Sequence, residues 1–88
     1  MWYVYVIESL KNGIWYKGYT DDLKQRFDEH NRKSGGKTTR NNGPFKLIYY
    51  EAYLEKTDAA KTEKFYKTGY GREILKDKLE NYIKKKKK

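Results

Sequence analysis

Trp2-Tyr3-Val4-Tyr5-Val6-Ile7-Glu8-Ser9 is followed, after Leu10-Lys11-Asn12-Gly13, by Ile14-Trp15-Tyr16-Lys17-Gly18-Tyr19. Two runs rich in β-branched and aromatic residues, separated by a short polar segment ending in Asn-Gly, predict a β-hairpin. With a loop of Ser9 to Asn12, Glu8 pairs with Gly13 and Tyr5 falls opposite Tyr16. Alternation then sets Tyr3, Tyr5 and Ile7 on one face with Ile14, Tyr16 and Gly18, and sends Trp15, Lys17 and Tyr19 to the other.

Downstream of the hairpin the period lengthens. Thr20 is the expected N-cap of a helix that runs to about Arg32, with Asp21 and Asp22 at its positive end and Leu23 and Phe27 on its buried stripe. Arg26 and His30 lie four residues apart and share one strip of it. Residues 34–44 form a Gly-rich basic loop, and Phe45 to Tyr53 return to strand character around Leu47-Ile48-Tyr49-Tyr50. A second helix is expected from Thr57-Asp58 through Glu63 and Lys67, stopped by Gly69 as a C-cap, and a third from about Arg72 to Ile83. The order ββαβαα predicts an α+β fold, a small three-stranded antiparallel sheet flanked by three helices. One domain over 1–83 and a basic, disordered tail over 84–88 are expected.

Composition narrows the partners. The chain has 88 residues, 36% hydrophobic and 38% charged, so one modest core is expected, with ten Tyr, two Trp and three Phe supplying its bulk. Twenty-one Lys and Arg against twelve Asp and Glu give a net charge of +9, which favours a polyanion. Five of those charges belong to Lys84–Lys88, and a solvated end explains them as well as a functional one does. The absence of cysteine removes disulfides, thiolate metal sites and thiol nucleophiles. No signal peptide or membrane segment is evident, so a cytoplasmic protein without membrane association is expected.

Taken singly, tyrosines on strands are packing residues, Arg26 and His30 suit a solvated helical face, and Glu63 beside Lys67 suits a surface ion pair. Taken in order, Tyr5, Tyr16, Arg26, His30 and Glu63 offer the groups that metal-assisted phosphodiester hydrolysis needs: a base or water-orienting hydroxyl, a cation for phosphate, a proton carrier and a carboxylate. The same ordered set, with Tyr16-Lys17-Gly18, Tyr19-Thr20-Asp21, His30-Asn31, Thr39-Arg40 and Pro44-Phe45-Lys46-Leu47, resembles the GIY-YIG endonuclease superfamily over nearly the whole chain, closest to its small stand-alone bacterial members. Tyr3 and Lys17 depart from the motif, standing where it has glycine and isoleucine. Tyr3, on the face of Tyr5, is expected to narrow the cleft.

The resemblance implies a metal-dependent endonuclease acting on DNA with weak sequence preference, in repair or recombination. Tyr5 or Tyr16 would be the general base or orient the water, Arg26 would stabilise charge on the phosphate, and His30 would assist. Glu63 would hold one divalent cation, Mg²⁺ or alternatively Mn²⁺. A metal ion and the nearby guanidinium would help a tyrosine lose its proton. Lys37, Thr39 and Arg40 of the loop, with Lys67, are the expected nucleic-acid contacts, although solvent exposure accounts for the loop equally well. RNA stays open as substrate, a protein partner is a source of specificity, and a non-catalytic nucleic-acid-binding module of the same fold is the alternative.

Overall fold

The computed structural model describes residues 1–32 and 42–86. It contains β1 (Trp2–Ser9), β2 (Trp15–Thr20), α1 (Leu23–Asn31), β3 (Phe45–Tyr53), α2 (Lys56–Phe65), α3 (Gly69–Lys78) and α4 (Glu80–Lys86). The strands form one antiparallel sheet in the order β2-β1-β3, giving the expected α+β architecture. Lys37, Thr39 and Arg40 lie outside the described residues.

The hairpin register differs from expectation by two residues. Tyr5 faces Gly18, Ile7 faces Tyr16 and Glu8 faces Trp15. The loop consists of Leu10 to Gly13, closed by the Ser9 N–H on the Ile14 carbonyl at 2.9 Å, and the Ser9 Oγ accepts from the Lys11 and Asn12 N–H groups. Gly13, at φ 76°, supplies the left-handed residue that ends the turn. A shift of two preserves the face assignment, because side chains alternate with period two.

Central β1 is covered on both sides. Val4 and Val6 pack with Ala59, Tyr66, Leu75 and Leu79 beneath α2, α3 and α4. Tyr5 and Ile7 pack with Phe45, Tyr16, Leu23 and Phe27 beneath α1. A bulge in β3 makes both clusters possible: Ile7 faces Leu47 while Val6 faces Tyr49, which leaves Ile48 as the extra residue. Phe45 and Leu47 thus face α1, whereas Tyr49, Glu51 and Tyr53 face the helical layer opposite.

There the Glu51 carboxylate accepts hydrogen bonds from the hydroxyls of Tyr49 (2.7 Å), Tyr53 (2.6 Å) and Tyr66. Burial alone would raise its pKa; the three phenols and the charge of Lys78 together hold it below the usual carboxylate value. Burial and the same carboxylate push Tyr49 up to about 12 and raise Tyr66 as well. Glu8, almost fully buried, is satisfied likewise by Trp15 Nε1 (2.9 Å), the Tyr82 hydroxyl (2.6 Å) and Lys86.

Helix boundaries depart from expectation in three places. Asp22, not Thr20, caps α1, its side chain accepting from the Gln25 N–H at 3.0 Å, while Thr20 Oγ1 accepts from the Asp22 N–H. Gly69 opens α3 behind the Thr68 N-cap, and a Cβ at Gly71 would stand 2.6 Å from the Phe65 carbonyl carbon, so glycine at 71 lets α3 start tightly against the end of α2. The single helix expected from Arg72 breaks at Leu79 into α3 and α4. Helix α4 reaches Lys86, where Lys84 pairs with Glu80 at 3.4 Å and Lys86 with Glu8, so the lysine run begins as helix rather than free tail.

Two expectations follow for stability. Tyr66→Phe removes one donor to the half-buried Glu51 carboxylate and should cost about 1–2 kcal/mol, read by denaturant unfolding; an unchanged midpoint would show that Glu51 does not need it. At position 18, a Cβ would lie 2.6 Å from Tyr5 Cζ. Gly18→Ala should therefore cost about 1–3 kcal/mol through overpacking, and much less in a Tyr5→Ala background, where the obstruction is gone. Equal costs in both backgrounds would refute the contact.

Candidate active site

Glycine at 18 leaves room for the Tyr5 ring against β2, one of the two edge strands of the sheet. Its hydroxyl thereby reaches a cleft that Tyr5, Tyr16, Arg26, His30 and Glu63 all line. Trp15, Lys17 and Tyr19, from the opposite face of β2, line it too, so the cleft wraps the edge of that strand. All five residues expected to carry chemistry converge here, from β1, β2, α1 and α2, and Lys67 joins them. Tyr3 does not: its ring packs edge-on against Tyr50, with centroids 6.0 Å apart, away from the cleft.

Tyr5 is the most buried of the group, 4% exposed, and its hydroxyl lies 3.0 Å from His30 Nε2. The Arg26 guanidinium acts on the same hydroxyl, favouring its ionised form. Burial raises the Tyr5 pKa above that of a free phenol; Arg26 opposes the rise, and Glu63 and Glu29 add to it. As expected, the guanidinium makes this phenol easier to ionise, but in the protein alone desolvation by burial outweighs it. Arg26 meets Glu29 at 3.2 Å, and the Tyr5 hydroxyl and Glu29 together strengthen its hold on its proton.

His30 is 5% exposed. Burial first, and the Arg26 charge second, press its pKa below the ordinary value, so the imidazole is neutral at pH 7. Its ring meets Tyr5 and Phe45 edge-on, with centroids 5.8 and 6.0 Å away. Asn31 beside it fixes α1 on the sheet: its Oδ1 accepts from the Phe45 N–H at 2.6 Å and its Nδ2 donates to the Phe45 carbonyl at 3.3 Å, replacing a strand partner.

Tyr16 has a different neighbourhood. Its hydroxyl accepts from Asn42 Nδ2 at 2.9 Å, and its ring packs edge-on against Phe45 at 5.7 Å. Asn42 also accepts from Ser9 Oγ through its carbonyl at 2.6 Å, which ties the segment entering β3 to the hairpin loop. Phe45 and Asn42 shape the site, a role that sequence reasoning gave to neither. The Pro44-Phe45 signal for a strand start was visible, but the side-chain partners were not.

Glu63 is mostly buried, its side chain 13% exposed, and meets Lys67 at 2.7 Å. Lys17 is pressed below the usual lysine range by burial and then by the charges of Arg72, Lys67 and Lys76. The cleft is therefore a cationic enclosure around a single carboxylate. Among the described residues no group of three or more His, Cys, Asp or Glu side chains could hold a metal ion, and the carboxylate that lines this cleft, available to a cation together with water, is Glu63. That donor set suits a hard divalent ion, which keeps several waters and needs few carboxylates.

Comparison with known proteins agrees with this geometry. A UPF0213 protein of Streptococcus agalactiae is 43% identical over 65 residues, covering 74% of this chain and 73% of its own. One from Halalkalibacterium halodurans is 43% identical over 61 residues, 69% of this chain and 64% of its own. The solution NMR structure of the UPF0213 protein BH0048 from Bacillus halodurans superposes with a TM-score of 0.52 at 38% identity, covering 85% of this chain and 82% of that one. Residues 1–88 match the GIY-YIG catalytic domain, and with the tyrosine, arginine, histidine and glutamate of that pattern gathered in one cleft, the chain belongs to the GIY-YIG family, whose catalytic domain is of nuclease type.

Proposed function

We propose that the chain is a divalent-metal-dependent endonuclease that hydrolyses DNA phosphodiester bonds with weak sequence preference, acting in the cytoplasm in repair or recombination. The observation that carries this reading is the convergence of Tyr5, Tyr16, Arg26, His30 and Glu63 on one cation-rimmed cleft. Weak preference follows from a surface that offers phosphate contacts and no base-reading motif. No helix among the described residues is long and apolar enough to cross a membrane.

Arg26 faces the cleft where it would counter charge building on the phosphoryl oxygens. Tyr5 is the better supported of the two tyrosines as the group that handles a proton. With Nε2 of neutral His30 3.0 Å from its hydroxyl, Tyr5 would orient a water and His30 would accept the proton passed through the phenol. Tyr16, held by Asn42, positions the phosphate or the water from the far side. Glu63 would hold the divalent cation, which supplies Lewis-acid polarisation of the phosphate and of bound water. For this the Lys67 ammonium must leave Glu63, and phosphate is the natural new partner for it.

The Glu63–Lys67 ion pair also supports the second reading, a nucleic-acid-binding module without turnover, since that carboxylate is already neutralised. Cleavage of branched, single-stranded and duplex DNA with Mg²⁺ or Mn²⁺ separates the two. Glu63→Gln should abolish cleavage while leaving the fold intact, and undiminished turnover in it would sink the metal assignment. Tyr5→Phe should lower turnover by about 10² or more with DNA affinity retained. Arg26→Lys should also fail, because an ammonium lacks the planar fork.

His30 gives a pH test independent of turnover. Its folded pKa lies below the unfolded value of about 6.5, so the unfolded chain binds the proton more readily. Its contribution to stability is present above pH 6.5 and is lost as pH falls through the folded value. Between pH 7 and 5 the wild-type unfolding free energy should decline, and His30→Phe, which keeps the aromatic contacts, should decline less. Parallel slopes would mean that His30 is not buried in neutral form.

A further inference from the structure

On the far side of β2 from Tyr5, a second groove of about 500 Å³ opens beside the candidate active site. The two share Trp15, Lys17 and Arg72, so they form one continuous track. Its walls combine two chemistries. Trp15, Leu75 and Ile83 are apolar, and Lys17, Arg72 and Lys76 are cationic. Among the described residues Lys17 and Arg72 form no ion pair, and Lys76 has only an exposed partner, Glu73 at 3.6 Å. The indole is fixed from below, its Nε1 donating to buried Glu8 at 2.9 Å, and that carboxylate is offset by Lys86 and the Tyr82 hydroxyl. An aromatic platform held in place, with cations beside it, suits a strand whose bases are free. In a duplex the bases are stacked inside, and an apolar wall beside the cations would go unused.

We propose that this groove binds an unpaired DNA strand adjoining the scissile phosphate, a base stacking on Trp15 and the phosphates meeting Arg72 and Lys76. The inference deepens the nuclease reading and rests on it: the substrate is a junction between paired and unpaired DNA. Duplex would lie across the cleft and the single-stranded arm would follow the groove toward α3 and α4.

Binding of the full chain, measured in EDTA by fluorescence anisotropy, compares a blunt duplex, the same duplex with a short unpaired arm, and one whose arm consists of abasic sites of equal charge. The base-bearing arm should bind about tenfold tighter than the abasic arm, within the range that base–aromatic stacking supplies. Trp15→Leu should bring that ratio close to one, with its fold checked by circular dichroism. Arg72 is exposed, so Arg72→Gln should fold normally; it should flatten the log affinity against log salt slope by about 0.7 for the armed substrate and less for the blunt one. Equal binding of base-bearing and abasic arms by the wild type, or a ratio undiminished in a folded Trp15→Leu chain, would overturn the proposal. Because binding is read without metal, lost arm preference with intact cleavage overturns the groove alone, whereas arm preference in a chain that never cleaves supports the groove and overturns the nuclease reading.

Discussion

One strand, β1, is buried on both faces, and its alternation divides the molecule into a site side and a core side. Odd residues Tyr5 and Ile7 face α1; even residues Val4 and Val6 face α2, α3 and α4. Neither face can slip against the other, because moving β1 by one residue would exchange the buried phenol for a valine. The bulge at Ile48 makes β3 compatible with this division. Without it, Phe45 would share a face with Glu51, and a carboxylate ringed by phenols would sit beneath α1 in place of the ring that braces His30 and Tyr16.

This arrangement sets the electrostatics of the cleft. Tyr5 is desolvated enough that burial outweighs Arg26, and His30 is desolvated enough to stay neutral. The pair is consistent: a protonated phenol needs an acceptor, and a neutral imidazole provides one at 3.0 Å. Around them Lys17, Lys67 and Arg72 raise the potential of the cleft, with Glu63 the carboxylate that lines it. Burial first, and the repulsion of neighbouring cations second, depress Lys17, and a polyanion in the cleft would relieve that repulsion.

Much of the architecture was legible in the chain because it depends on local signals. β-Branched and aromatic runs marked the three strands, and an aspartate pair followed by Leu23 and Phe27 marked α1. The hairpin register was missed by two residues because Ser9 is a strand residue whose Oγ also organises the turn, a role that composition does not reveal. Gly69 looked like a helix stop; close approach of two backbones at Gly71 makes it a start. The five candidate site residues were legible as an ordered set, and Asn31 and Phe45 as part of the same pattern, whereas the contacts that Phe45, Asn31 and Asn42 make were not. Their parts depend on contacts across fourteen to thirty-three residues of sequence, and only the folded chain brings those together.

Two glutamates, Glu8 buried and Glu51 half-buried, explain how an aromatic-rich, aliphatic-poor sequence closes its core. A tyrosine ring supplies apolar area but brings a hydroxyl that must be satisfied, and with ten tyrosines the chain cannot send every hydroxyl to water. Glu51 collects three of them, and Glu8 collects Tyr82 together with the Trp15 indole and Lys86. Each carboxylate is held in its charged form by its donors in spite of burial. The consequence of Glu8 extends beyond packing. By binding Tyr82 and Lys86 of α4 on one side and Trp15 of β2 on the other, it couples the last helix to the strand that separates the cleft from the neighbouring groove. Lys86 of α4 is thereby anchored to the sheet through a single carboxylate, beside the groove proposed for the unpaired strand.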